Sequence, residues 1–189
     1  MWTGLRQWIG RPIRRFIKSP DGATAVEFAI VAFPFIYVLG TICETGLMLF
    51  TEYAMQNAVQ QAAREIRTGQ VTDGSGTTKK TAAEFKTEIC KQITSLIDCA
   101  GKVTVYTNSS TTFASLTAAI ADPLSIGEKA DGTYTSTVYT PGGAKASGVV
   151  IATYDWKFAF PFMSFLGNVL DNNRRRLYGI SIYRQENHT

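Results

Sequence analysis

The sequence predicts an α+β fold with one long N-terminal helix, a second helix and a small antiparallel sheet. Three observations support this prediction. An apolar run from Gly22 to Phe50 continues directly into an amphipathic segment that ends near Gly69, and a second amphipathic segment begins near Thr81. Alternating apolar and polar residues recur in short segments of the C-terminal half. Helices repeat their apolar residues every three or four positions, whereas half-buried strands repeat them every two.

The run from Ala23 to Phe50 is long enough to cross a lipid bilayer. As a helix with a rise of about 1.5 Å per residue it would extend roughly 42 Å, and a hydrocarbon core is about 30 Å thick. Pro34 predicts a kink, because proline removes one helical hydrogen bond. Glu44 would lie roughly 32 Å beyond Ala23, so we expect it at the outer headgroup level, with a subunit contact as the second interpretation.

Residues 1–22 carry the whole positive charge excess of the chain. They hold five basic residues and one acidic residue, which equals the net charge of +4, and the remainder has 14 of each sign. No basic surface is left for phosphates, so nucleic acid is not expected as a partner. The positive-inside rule places residues 1–22 in the cytoplasm and the C-terminus across the membrane. On composition alone, this segment is an uncleaved signal anchor.

Glu27 is the acidic residue at the start of the apolar run. A carboxylate within a bilayer costs roughly 2.5 to 3.5 kcal/mol at a helix centre, so it normally has a partner or a role. The alternative is a position near the membrane surface, where a glutamate in the first turn complements the helix dipole. Both interpretations remain open at this point.

The segment Gly22-Ala23-Thr24-Ala25-Val26-Glu27-Phe28 resembles the processing site of the Flp-type pilins of tight-adherence (Tad) pili. Because a long C-terminal region follows, the whole chain is most similar to the TadE-like pseudopilins. Further similarities are Pro34, the Glu44-Thr45-Gly46 segment, residues 62–70, the paired cysteines Cys90 and Cys99, and residues 183–187. At that last site Gln185 departs from the family pattern, which is closer to Arg-Asn-Glu.

The resemblance implies a pilin-like fold in four parts. These are a prepilin leader (1–22), a transmembrane helix (23–50), an amphipathic extension of that helix (51–70) and a periplasmic α+β head (71–189). A prepilin peptidase would cut between Gly22 and Ala23, and Glu27 and Phe28 would take part in subunit assembly. The protein would be anchored in the bacterial inner membrane, with possible incorporation into the extracellular pilus.

The implied function is that of a minor pilin that initiates, caps or assembles a Tad pilus used in surface adhesion. The implied partners are the prepilin peptidase, other Tad pilins and pseudopilins, the inner-membrane assembly platform and the lipid bilayer. Two alternatives stay open. The chain could be an unprocessed single-pass subunit of the assembly or secretion platform, or a membrane-anchored adhesin or enzyme.

The predicted head contains one helix and three or four strands. Phe85, Ile89 and Ile93 recur at helical spacing behind Thr81, which is a suitable N-cap with Glu84 three residues later. Residues 102–107, 147–158 and 177–184 alternate as strands do, and residues 133–140 are a weaker candidate.

The head also contains a predicted disulfide and a cluster of phenylalanines. Cys90 and Cys99 lie nine residues apart outside the span, in an oxidising compartment if the topology holds, which favours a disulfide. Cys43 lies within the span and is interpreted as a small buried apolar residue. Four phenylalanines near Pro161 form either part of the core or an exposed contact patch. They are Phe158, Phe160, Phe162 and Phe165.

The sequence argues against an enzyme. Its single histidine is His188, next to the last residue, and chain ends are commonly frayed. No phosphate-binding or dinucleotide-binding glycine motif and no CxxC motif occurs. We therefore expect no catalytic residues, no metal site and no cofactor.

Overall fold

The computed structural model describes residues 20–93, 97–119, 122, 125–126, 138–160, 163, 169–170 and 173–187. Its first helix, α1, spans Pro20–Arg67. Proline suits the first position of a helix, because the amide N–H that it lacks would have no partner there. The helix ends in a Schellman motif, in which Gly69 has a φ of 74° and Gln70 N–H donates to the Glu65 carbonyl at 3.0 Å.

The described chain divides into two compact units after Glu44. In the first unit none of residues 23–43 of α1 is buried. The second unit holds the rest of α1 and all other helices and strands. We refer to this second unit as the head.

The second helix, α2, spans Ala82–Lys91 and begins at the predicted capping box. Glu84 N–H donates to the Thr81 hydroxyl at 3.3 Å, and Thr81 N–H donates to the Glu84 carboxylate at 2.7 Å. These two bonds satisfy amide groups that a helix start otherwise leaves unpaired. The apolar face of α2 buries Phe85 and Ile89, as their spacing predicts. A one-turn helix, α3, follows at Cys99–Lys102.

The sheet has four antiparallel strands in the order β1-β2-β4-β3. Their bounds are Val103–Ser110 for β1, Ser147–Lys157 for β2, Val169–Leu170 for β3 and Arg174–Arg184 for β4. A short helix, α4, spans Phe113–Ala119 between β1 and β2. Of the weaker strand candidate at 133–140, the first five residues lie outside the described part. Tyr139 forms one isolated bridge to Thr107.

Both faces of the sheet are covered. On one face Val150 and Ala152 of β2 pack with Met55, Val59 and other residues of α1 and α2 in the main core. On the opposite face Val149 and Ile151 pack in a smaller cluster with residues that include Leu116 of α4. The Val-Val-Ile-Ala run of β2 is therefore apolar at successive positions because the strand is buried on both sides.

Candidate functional site

The first candidate site is the exposed apolar surface of α1 in residues 23–43. Within the described residues, one helix is long and apolar enough to cross a membrane, and this surface belongs to it. Glu27 is exposed on it, and the neighbouring Phe28 is 74% exposed. A soluble protein rarely leaves so large an apolar surface uncovered, so this surface fits a single-pass membrane anchor.

Glu27 does not lie in the first turn of α1. Because α1 begins at Pro20, Glu27 is its eighth residue, and the dipole effect falls off within the first turn. The dipole interpretation of this glutamate therefore loses its support in the uncleaved chain. After a cut at Ala23 the carboxylate would stand at the fifth residue of the new chain.

The predicted cleavage bond between Gly22 and Ala23 lies inside α1, close to its first residue. Pro34 also lies inside α1, and the helix is assigned without interruption on both sides of it. Processing at Gly22 and a kink at Pro34 both stay predictions.

Glu44 and Cys43 lie near the end of the predicted membrane span and differ in exposure. Glu44 is only 8% exposed, so its side chain is largely covered within the protein itself. Its location at a headgroup layer stays a prediction. Cys43 is free and exposed on α1, so the protein itself does not bury it, and its burial within the membrane span stays a prediction. Its apolar surroundings have to be supplied from outside the described chain.

The second candidate site is where α1 crosses the sheet within the head. Gly179 of β4 lies against the α1 backbone so closely that an added Cβ would come within 2.9 Å of the Met55 carbonyl oxygen. Beside it, the Gln56 side chain donates to the Ile180 carbonyl at 2.8 Å and accepts from the Ile180 N–H at 2.9 Å. Glycine and glutamine together fix the position of the helix on the sheet. Sequence patterns gave no indication of this contact.

Cys90 and Cys99 form a disulfide with a Cα–Cα distance of 5.5 Å, in the usual range for such bonds. Both sulfur-bearing residues are buried in the main core. The bond ties the end of α2 to the start of α3, which leads directly into β1.

The C-terminal segment 183–187 is held by buried polar contacts. Tyr183 donates its hydroxyl hydrogen to the Pro141 carbonyl at 2.8 Å, and burial raises the pKa of this phenol strongly. Gln185 is 3% exposed and donates to the Thr72 hydroxyl at 2.8 Å and to the Gly142 carbonyl at 3.2 Å. The departure from the family pattern at Gln185 thus lies at a buried crossing of three segments.

Two of the four phenylalanines near Pro161 are among the residues that the structure describes. Phe158 is buried in the main core, and the partly buried Phe160 packs against that core. Phe162 and Phe165 lie outside the described residues, as does His188. Among the residues that the structure does describe, no group of three or more His, Cys, Asp or Glu side chains could hold a metal ion.

The described residues define a class of protein with one apolar helix that fits a membrane anchor. This helix continues into an α+β head that contains a disulfide. Residues 22–64 match the family model described as TadE-like protein. The resemblance to the TadE-like family is therefore confirmed over residues 22–64, which include the apolar segment and most of the amphipathic one. Neither the curated proteins nor the solved structures gave a significant match.

Proposed function

We propose that this protein is a minor pilin that contributes to the initiation, capping or assembly of a Tad pilus used in adhesion. The observation that supports the proposal most directly is the TadE-like match at residues 22–64, which covers both Glu27 and the exposed apolar surface of α1. Residues 23–43 then contact lipid before assembly and other pilins after it. The head lies in the periplasm.

Cleavage between Gly22 and Ala23 by a prepilin peptidase would create a charge partner for Glu27 on each subunit. The new amino terminus at Ala23 carries a positive charge roughly 6 Å along the helix from Glu27. The carboxylate of one subunit and the ammonium group of its neighbour attract strongly in a low-dielectric environment, whereas each is costly there alone. Assembly relieves both costs and sets the axial register of the subunits.

The proposal is tested by N-terminal sequencing of the membrane-extracted protein together with the variants Glu27→Gln and Glu27→Asp. We expect a chain that begins at Ala23 in all three proteins. Glu27→Gln should insert and be processed normally but recover fewer pilin partners on co-purification, and Glu27→Asp should show a smaller defect. Full recovery of partners and normal piliation with Glu27→Gln would rule out the charge-pairing role.

A second candidate function is that of an unprocessed subunit of the assembly platform. It is favoured by one observation, since the Gly22–Ala23 bond lies within α1, where a peptidase would first have to unwind the helix. A mass that includes Met1 in cells that assemble pili would support this candidate. It would also exclude a pilin role that depends on a free amino terminus at Ala23.

A further inference from the structure

The outer edge of β4 has an open stretch within the head. The Ile180 N–H and carbonyl are bonded to Gln56 and so point away from β2, whereas Gln185 N–H, five residues on, points the other way, toward the Ala146 carbonyl. Along an antiparallel strand, the backbone N–H and C=O groups of successive residues point alternately to one neighbouring strand and to the other. The backbone groups of Ile182 and Arg184 therefore also point to the outer edge, where no described residue pairs with them.

Both ends of this stretch are paired by groups of α1. At one end the Gln56 carboxamide bonds both backbone groups of Ile180 as a residue of a neighbouring strand would do. At the other end Glu186 N–H donates to the carbonyl of Arg67, the last residue of α1, at 3.1 Å. On either side of Ile182 and Arg184, backbone groups of this edge therefore form hydrogen bonds of the kind that a neighbouring strand would make.

A groove of about 580 Å³ runs between α1 and this edge. Its charged side chains are Arg64, Arg67, Arg184 and Glu186. Arg67 and Glu186 are 3.4 Å apart and largely offset each other. Arg64 of α1 and Arg184 of β4 are left as exposed positive charges at this groove, with no ion pair to another described residue. Ile182 is 57% exposed beside them, which is unusual for an apolar residue on an open strand edge.

We propose that this groove binds an extended acidic segment of another protein, which adds a short strand to β4. Its backbone would pair with Ile182 and Arg184, and its acidic side chains would face either Arg64 on the α1 side of the sheet or Arg184 on the opposite side. Strand addition draws its affinity from main-chain hydrogen bonds and its selectivity from side chains on either side of the new strand. The inference concerns the head alone and does not rest on the proposed pilus function.

The test uses the full chain in nanodiscs of neutral phosphatidylcholine, so that lipid does not attract charged probes. Three fluorescent peptides of eight residues are titrated by anisotropy: alternating Glu and Val, alternating Lys and Val, and the Glu-Val peptide methylated on every backbone nitrogen. We expect the Glu-Val peptide to bind, the Lys-Val peptide not to bind, and the methylated peptide to bind at least about tenfold more weakly because its donors are lost.

Two protein variants place the binding at this edge. Ile182→Pro removes an N–H that makes no bond to β2, so it should weaken Glu-Val binding at least about tenfold while leaving the urea midpoint nearly unchanged. Arg64→Glu combined with Arg184→Glu should weaken binding at least about fivefold. The matched control, Lys102→Glu with Lys157→Glu, makes the same charge change at exposed sites away from the groove and should have no effect.

Several results would overturn the proposal. One is equal binding of the Glu-Val and Lys-Val peptides, and another is equal binding of the methylated peptide. Binding that responds to the control pair as much as to Arg64→Glu with Arg184→Glu would also overturn it. Self-association of the protein without peptide, abolished by Ile182→Pro, would assign the edge to a second copy instead. If Ile182→Pro fails to fold, the methylated peptide still decides whether backbone pairing is involved.

Discussion

The two parts of α1 have apolar residues in opposite environments. In residues 23–43 no side chain is buried, and Phe28, Ile30 and Phe33 are among the most exposed of the described large apolar residues. In residues 54–66 every apolar side chain is at least partly buried, and Met55, Val59 and Ile66 are fully buried in the main core. The head accounts for the apolar residues of the second part only. Those of the first part require a cover from outside, which a bilayer or neighbouring helices would provide.

The largest effect should come from shortening a buried isoleucine of α1. Ile66→Ala should lower the free energy of unfolding of the head by about 2 to 5 kcal/mol, because it removes apolar contacts and leaves a cavity. Ile30→Ala is the matched control in the same helix and should leave head stability unchanged, since Ile30 is exposed. Urea unfolding in detergent, followed by near-ultraviolet circular dichroism, measures both. Equal losses for the two variants would contradict the comparison.

The cysteines should show the same contrast with a somewhat smaller effect. Replacing both Cys90 and Cys99 by alanine should cost about 2.7 kcal/mol, because the loop of about ten residues is no longer closed in the unfolded chain. Cys43→Ala should change the stability of the head by less than about 0.5 kcal/mol, as for an exposed position. Unfolding midpoints without reductant check both values. A stability loss confined to Cys43→Ala would be the contrary result.

A third contrast compares two glycines. Gly179→Ala should destabilise the head by about 1 to 3 kcal/mol, because the new Cβ meets the α1 backbone and the helix has to shift. Gly46→Ala should cause no loss, since no atom beyond the adjacent backbone of α1 lies within 4 Å of an added Cβ and alanine favours the helix. Thermal unfolding of the two variants beside the parent protein decides the matter. An unaffected Gly179→Ala would show that α1 does not press on β4 at this point.

The sequence was sufficient for the features that depend on local patterns. The amphipathic segment predicted to end near Gly69 buries Met55, Val59 and Ile66 on one side, and the capping box before α2 is observed where the sequence predicts it. Helix α4 was missed, although Thr112 accepts a bond from Ser115 N–H and is a recognisable start signal. The segment is only seven residues long, and its periodicity is therefore weak.

Contacts between distant positions could not be predicted from one sequence. Gln56 and Ile180 are 124 positions apart, and Gln185 and Thr72 are 113 apart. A glutamine of an amphipathic helix is normally assigned to its solvent side, so only the fold shows that Gln56 bonds to a strand. Gly179 likewise has no local signal, because its small size is required by a helix from the other end of the chain.

The smallest expected effect contrasts two tyrosines in alkaline solution. Tyr139 packs on Phe85 and donates to the Lys80 carbonyl at 2.9 Å, and burial raises its pKa to about 12. The unfolded chain loses this proton from about pH 10, whereas the folded protein keeps it to about pH 12. The stabilisation is therefore fully present below pH 10 and is lost as the pH rises through this window.

Tyr139→Phe should cost about 1 kcal/mol at pH 8, for the lost hydrogen bond, and less at pH 11, where the parent protein has begun to lose the same contribution. Tyr53→Phe is the control, because Tyr53 of α1 is 65% exposed. Lys80 has a pKa raised by its hydrogen bond to Glu65, but it is present in every variant and cancels in the differences. Urea midpoints at the two pH values provide the measurement. The free energy of unfolding of Tyr139→Phe could differ from that of the parent protein by the same amount at pH 8 and pH 11. That result would mean that folding does not change the pKa of this phenol.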